Sequence, residues 1–305
     1  MKKVLFATTA LVATAGVAAA DVTFGGLGRF GVYYNENAAT EVTLESRFRL
    51  IVTGTAESDN GLSFGAQIRY QSNEHRDGYG APQGNAAFNT PRFWVSTNGF
   101  TVSVGQVLGA IENMPGMYTG SIGLTGLSYR NVVYNFGADA YTSGSTGSQG
   151  VDVIYSSGAW GVHLSHSWDG SGNAGRGFDR TAVHGSYSTG QYTFAVGFQD
   201  SDNAGDTEWA ATATGTWGNF TGTLAYADND GNAKYGIAGD YQVGAATFIR
   251  GYVNHDEGLG ASGDENYGIG FQHRLGGGTF LEGGVASLGG ATSTTVADLG
   301  LRFSF

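Results

Sequence analysis

The sequence predicts an all-β protein whose strands close into one antiparallel barrel that spans a membrane. Apolar and polar side chains alternate along many segments, and the alternation continues through residues 294–305 to the terminal Phe305. After the N-terminal region no segment approaches the 18 uninterrupted apolar residues of a membrane helix. Glycine is abundant (53), proline is scarce (3) and only 13% of residues are charged. A barrel accommodates these features because only every second residue of a strand meets lipid.

The first 20 residues are predicted to be a signal peptide that is cleaved on export. Lys2 and Lys3 form a positive region, a short apolar stretch follows, and three alanines at positions 18–20 supply a small-residue cleavage site. The mature chain is then expected to begin near Asp21. Residues 21–305 contain no cysteine although export permits disulfides, so we expect one large barrel domain closed by backbone pairing.

Counting alternating segments gives sixteen predicted strands, an even number as expected for a bacterial barrel. Glycine-containing tight turns join them on one side, and longer polar loops, such as residues 72–90, join them on the other. This asymmetry is typical of outer-membrane barrels. The predicted strands are 22–35, 42–55, 62–71, 91–98, 100–107, 151–157, 160–168, 180–188, 191–200, 207–216, 220–228, 233–242, 246–255, 265–274, 279–288 and 294–305.

Residues 108–150, between the fifth and sixth predicted strands, lack a strong hairpin signal. A connection of this length without regular structure is uncommon unless it has a function. A water-filled barrel has room for it, so this third external loop is predicted to fold into the lumen.

Six arginines are predicted to form one basic wall of the pore. Five lie in the first four predicted strands and the sixth lies in the last, which pairs with the first strand when the barrel closes. An arginine that faces lipid at mid-membrane costs about 2–4 kcal/mol, which favours the lumen. The alternative is that some are merely solvated or pair with turn carboxylates. These residues are Arg29, Arg47, Arg49, Arg69, Arg92 and Arg302; Glu112 and Asp139 of the loop are candidates for the opposing wall.

Other chemistry is poorly supported by the sequence. The 26 acidic residues outnumber 15 basic ones, which argues against nucleic acid as a partner. No nucleophile motif is found, and the G-x-G-x-x-G pattern at residues 26–31 lies inside a strand, so neither an enzyme nor a cofactor is predicted. Acidic loops offer oxygen ligands for calcium, without EF-hand spacing, against the simpler interpretation of solvated loops. The calcium candidates are Asp202, Asp206, Asp256 and Glu257.

Particular segments resemble the general porins of alphaproteobacteria, those of the Rhodobacter type. The resemblance is carried by residues 22–32, 45–49 and 61–66 and by the ending from residue 275 to Phe305. It covers the whole mature chain in layout and is most specific at the two ends. It implies a sixteen-stranded, trimeric, water-filled channel in the outer membrane, with residues 108–150 as the inward constriction loop. It also implies that Phe305 is the assembly signal for the barrel-insertion machinery.

The expected function is therefore passive diffusion of ions and small hydrophilic solutes across the outer membrane of a Gram-negative bacterium. A homotrimer that packs through its early strands is expected, in contact with outer-membrane lipid and lipopolysaccharide. Alternatives are a channel selective for a sugar or phosphate, an outer-membrane barrel enzyme, and a secreted soluble β-protein.

Overall fold

The computed structural model describes residues 20–76, 82–138, 147, 149–168, 179–260 and 263–305. Within them, seventeen strands form one antiparallel sheet. The sheet closes because β1 pairs with β2 on one side and with the last strand, β17, on the other. The predicted barrel is thereby confirmed, while residues 1–19 of the predicted signal peptide lie outside the described part of the chain.

The strands correspond closely to those predicted from alternation. In the described ranges no helix is long and apolar enough to cross a membrane. The strands are β1 (Asp21–Asn35), β2 (Val42–Glu57), β3 (Ser63–Arg76), β4 (Pro82–Phe88), β5 (Arg92–Thr97), β6 (Phe100–Gly105), β7 (Gly150–Ser157), β8 (Trp160–Ser167), β9 (Arg180–Thr189), β10 (Tyr192–Ser201), β11 (Glu208–Trp217), β12 (Phe220–Asp228), β13 (Ala233–Val243), β14 (Thr247–Asp256), β15 (Glu265–Gly276), β16 (Thr279–Leu288) and β17 (Thr294–Ser304).

Strands β4 and β5 share one position in the wall, so the barrel has sixteen positions. Both pair with β3, β4 with its second half and β5 with its first half. Between them the Asn89 side chain accepts a hydrogen bond from the Arg69 N–H at 2.7 Å. Pro91 follows and has no N–H to donate, which interrupts the ladder. Residues 72–90, predicted to be a loop, are thus partly strand.

The outer face of the barrel is apolar and the inner face is polar. In β10, Phe194 and Phe198 are each 48% exposed, whereas Gln199 is 1% exposed. A soluble protein buries its large apolar side chains, so this inverted pattern indicates a surface that meets lipid. The period of two that predicted the strands places successive side chains on opposite faces.

The connection between β6 and β7, here called the β6–β7 segment (residues 106–149), packs against strands far from it in the chain. Its apolar residues form one cluster with four inner-face alanines, Ala182, Ala195, Ala210 and Ala227, on β9 to β12. A second cluster joins Ile122 and Leu127 of the segment to residues of β1, β13, β14, β16 and β17. Small alanine side chains leave the room that the segment fills.

Candidate functional site

The predicted closure brings three arginines into one row across neighbouring strands. Arg29 of β1 lies directly opposite Arg302 of β17 on one side and Arg47 of β2 on the other. Residues directly opposite in an antiparallel pair point to the same face of the sheet. These three residues, with Arg49, Arg69 and Arg92, are called the basic arc.

The row of three is partly neutralised by glutamates of the same wall. Arg29 forms an ion pair with Glu45 at 2.5 Å, and both side chains are buried. Arg302 forms an ion pair with Glu282 at 2.7 Å. Such charge-assisted pairs hold the guanidinium planes in fixed positions.

Arg47 and Arg49 have neutral hydrogen-bond partners on β3. The Arg47 Nε–H donates to Asn73 Oδ1 and the Arg49 Nε–H donates to Gln71 Oε1, both at 2.7 Å. Asparagine and glutamine carry no charge, so these bonds orient the two guanidinium groups without neutralising them. Both arginines are partly exposed. The positive charges of Arg47 and Arg49 are therefore not compensated by these two partners.

The remaining predicted arginines lie farther along the same wall. Arg69 lies on β3 and Arg92 on β5. Arg92 donates a hydrogen bond to the Ser103 hydroxyl at 2.8 Å, and its guanidinium lies 3.9 Å from an Asp152 carboxylate oxygen. The structure thus places all six arginines on the run of strands from β17 through β1 to β5, as closure predicts.

The β6–β7 segment is bound to the wall beside the basic arc. The Asp298 carboxylate of β17 accepts hydrogen bonds from the Leu124 N–H at 2.9 Å and from both the N–H and hydroxyl of Thr125 at 2.7 Å. Arg29 donates to the Leu124 carbonyl oxygen at 3.1 Å. Arg29 therefore contacts both Glu45 of the wall and Leu124 of the segment.

Further hydrogen bonds fix the segment on the opposite strands. His184 Nδ1 contacts the Ala110 carbonyl oxygen at 2.5 Å, and Thr212 donates to the Pro115 carbonyl oxygen at 2.6 Å. Asn229 donates to the Val133 carbonyl oxygen at 3.1 Å. The segment is therefore hydrogen-bonded to β9, β11 and the β12–β13 turn as well as to β17.

Glu112, predicted to oppose the basic wall, is bound to two tyrosines of its own segment. Its carboxylate accepts hydrogen bonds from Tyr118, at 2.5 Å, and from Tyr134. The two tyrosine hydroxyls are 2.8 Å apart. Asp139, the second predicted acid, lies outside the described residues. A role for either acid in the pore therefore stays a prediction.

Tyr129 is a residue of the segment that lies near the basic arc. Its neighbours there are Arg47, Arg49 and Arg302. Its backbone lies in a short helical turn, Leu127–Tyr129, in which Leu127, Ser128 and Tyr129 all have positive φ (41°, 71° and 50°). Left-handed conformations of residues other than glycine cost on the order of 1–3 kcal/mol each and cluster at functional sites.

The calcium candidates do not gather into one group in the described residues. Asp256 is buried and pairs with Lys234 at 3.3 Å, and Glu257 accepts a hydrogen bond from the Ala233 N–H at 2.9 Å. The group of three metal-type ligands found in this part of the chain consists instead of His255, Asp264 and Glu265. Calcium binding at the predicted residues stays a prediction.

A closed barrel with an apolar exterior and a polar interior is a transmembrane β-barrel suited to water-soluble solutes. Comparisons with known proteins agree. A family model described as Gram-negative porin matches residues 7–292. The porin of Fuscovulum blasticum is 30% identical over 299 residues, which cover 93% of this chain and 100% of that protein.

Solved structures give the same result. Two variants of the Rhodopseudomonas blastica porin superpose with a TM-score of 0.79 at 27% and 26% identity, covering 93% of this chain and 100% of theirs. The chain belongs to the Gram-negative porin family. It is an outer-membrane diffusion channel for small hydrophilic solutes.

Sequence reasoning missed Asp298, Tyr129 and Arg130 as residues of the site. The alternation of the last strand places Asp298 on its polar face and predicts no further role for it. Tyr129 and Arg130 lie within residues 108–150, for which the sequence predicts only an inward loop. The sequence signal of a turn before Tyr129 is Gly126, which adopts a φ of 83° in the structure.

Proposed function

We propose that the β6–β7 segment folds into the lumen as a constriction and that ions and solutes are sorted where it faces the basic arc. The observation that carries this proposal is the double contact of Arg29 with Glu45 on the wall and with Leu124 of the segment. The proximity of Tyr129 to Arg47 and Arg49 supports it. A solute that passes this place meets charged groups on one side and tyrosines on the other.

The charge of this passage favours anions. Glu45 and Glu282 form ion pairs with Arg29 and Arg302, whereas the hydrogen-bond partners of Arg47 and Arg49 are neutral amides and Glu45 is shared between Arg29 and Arg47. The whole chain carries a formal charge of −11, so the proposal is that local charge outweighs total charge. Local charge dominates because the Debye length at physiological ionic strength is only about 8 Å.

The test is the zero-current potential of single channels in a planar bilayer under a salt gradient. The wild type is compared with Arg47→Ser/Arg49→Ser and with Arg274→Ser, which removes an exposed arginine at the far end of β15. We expect the double variant to lose most of its anion preference and Arg274→Ser to keep it. An unchanged potential in the double variant contradicts the proposed sorting site.

We propose further that the protein acts as a homotrimer in contact with outer-membrane lipid and lipopolysaccharide, and that it acts by diffusion without a catalysed reaction. The apolar exterior supports the lipid contact. The stacking of the Phe305 ring on Phe48 at 5.7 Å supports a role for the terminal residue in barrel closure, beside its proposed recognition by the insertion machinery. If each insertion into a planar bilayer adds conductance in three equal levels, the trimer is supported. Insertions that each add a single level contradict it.

A further inference from the structure

A cavity of about 660 Å³ lies against the β6–β7 segment, on the side of Tyr129. Its volume falls within the range of about 300–1,000 Å³ that is usual for small-molecule sites. Its lining includes Glu112, Tyr118, Tyr129, Arg130, Tyr134 and Phe136. A simple constriction needs no such concave surface rich in aromatic side chains.

Arg130 is the cation of this cavity that is available to a solute. Among the residues that the structure describes, no side chain or backbone group forms a hydrogen bond or ion pair with its guanidinium. Lys234, the other cation of the cavity, is 1% exposed and is held by Asp256 and Asn135. A guanidinium presents a planar fork of donors that matches a carboxylate with two parallel hydrogen bonds.

Two pairs of aromatic rings provide the apolar part of the cavity. Tyr118 and Tyr129 meet edge to face with ring centroids 6.0 Å apart, and Tyr134 and Phe136 are tilted at 5.4 Å. Such arrangements leave ring faces and edges for a further ring to pack against.

The position of Tyr129 is held at a conformational cost. Three consecutive positive-φ residues hold its exposed ring in the lining of the cavity, near Arg47 of the arc. Strain of this kind persists when the surrounding structure imposes it, and it is frequent at ligand sites.

From these contacts we propose that the cavity is a binding site for aromatic carboxylates of one or two rings, which makes the channel retain and select such solutes. Arg130 binds the carboxylate, and Tyr118, Tyr129 and Phe136 pack against the ring. The basic arc beside Tyr129 draws the anion towards the cavity. A neutral sugar matches this site less well because it leaves the charge of Arg130 uncompensated. The proposal rests on the channel function and on the position of the segment proposed above.

The experiment is block of single-channel current by benzoate in planar bilayers. Acetate tests the carboxylate without a ring, benzyl alcohol tests the ring without a charge, and maltose tests a neutral sugar. We expect benzoate to reduce the current with saturation, and the three other probes to have little effect at equal concentration. In Arg130→Gln and in Tyr129→Leu, half-maximal block is expected to need at least tenfold more benzoate. Arg130→Gln loses the contact with the carboxylate, and Tyr129→Leu loses a contact with the ring.

Controls separate this proposal from the channel function itself. Arg274→Gln removes an arginine outside the cavity and is expected to retain wild-type block. All variants must first show open-channel current, so a folding defect is visible as absent conductance, which is a failure of the channel and not of the site. Benzoate that blocks no better than acetate, block that is unchanged in both Arg130→Gln and Tyr129→Leu, or saturable block by maltose alone would each overturn the proposal.

Discussion

Removal of the Asp298 carboxylate is predicted to release the β6–β7 segment from the wall. Asp298→Ala deletes the acceptor of three hydrogen bonds, from the Leu124 N–H and from the N–H and hydroxyl of Thr125. Leu124 is buried, and an unsatisfied buried donor costs about 1–3 kcal/mol, whereas the Thr125 hydroxyl can turn to water. The attachment is therefore weakened by about 1–3 kcal/mol. At 1.4 kcal/mol for each factor of ten, the detached population rises roughly 5- to 140-fold.

The assay is single-channel recording, combined with limited proteolysis of the folded barrel. We expect current fluctuations towards a higher open level and faster cleavage within residues 106–149. Asp228→Ala is the matched control, because its carboxylate accepts one hydrogen bond, from the Gly231 N–H, in an exposed turn. If Asp298→Ala and the wild type show the same current noise, the same current amplitude and the same rate of cleavage, then Asp298 does not hold the segment.

Three other substitutions test separate parts of the structure. Lys234→Met leaves the buried Asp256 carboxylate without its cation, which is expected to cost about 3–5 kcal/mol and to lower the midpoint of thermal unfolding. Phe305→Ala removes a terminal ring from the closing strand, so we expect a smaller fraction of folded barrel in membranes, measured by electrophoretic mobility without heating. Gly126→Ala places a Cβ 2.3 Å from the Tyr129 ring, so we expect displaced rings and weaker benzoate block.

Each of these variants has a matched control. The double variant Lys234→Met/Asp256→Asn removes both charges and is expected to be more stable than Lys234→Met alone; an equal loss contradicts the ion-pair argument. Phe100→Ala removes another exposed ring, and an equal assembly defect there argues against a special role for the terminus. Gly158→Ala also introduces a side chain at positive φ, but no atom lies within 4 Å of its Cβ, so benzoate block is expected to be unchanged.

The wall could be predicted from the sequence because its determinants are local. Alternation of two residues assigns each side chain to a face, and closure of the first strand on the last places Arg29 beside Arg302. Strand β4 could not be predicted in this way. Its sequence, PQGNAAF, has no clear alternation, and it is recognisable as a strand only by its pairing with β3.

The path of the β6–β7 segment could not be predicted because its contacts are not local. It is held by single residues of many strands, among them Ser165, His184, Thr212 and Asp298. No period in the sequence links such residues. The alanines at buried inner positions of β9 to β12 are the sequence feature that indicates where the segment packs. Small apolar residues on an otherwise polar wall indicate a packed partner.

We expect the β6–β7 segment to lie in the path of the ions. Chemical modification of a single introduced cysteine tests this position most directly. The chain has no cysteine of its own, so Ser128→Cys provides one reactive group on the exposed part of the segment. Ser157→Cys, whose side chain is exposed at a tight turn opposite Trp160, is the control. Addition of a positively charged methanethiosulfonate reagent during single-channel recording is predicted to change the current of Ser128→Cys abruptly and leave that of Ser157→Cys unchanged. Complete modification of Ser128→Cys without any change of current would contradict the account.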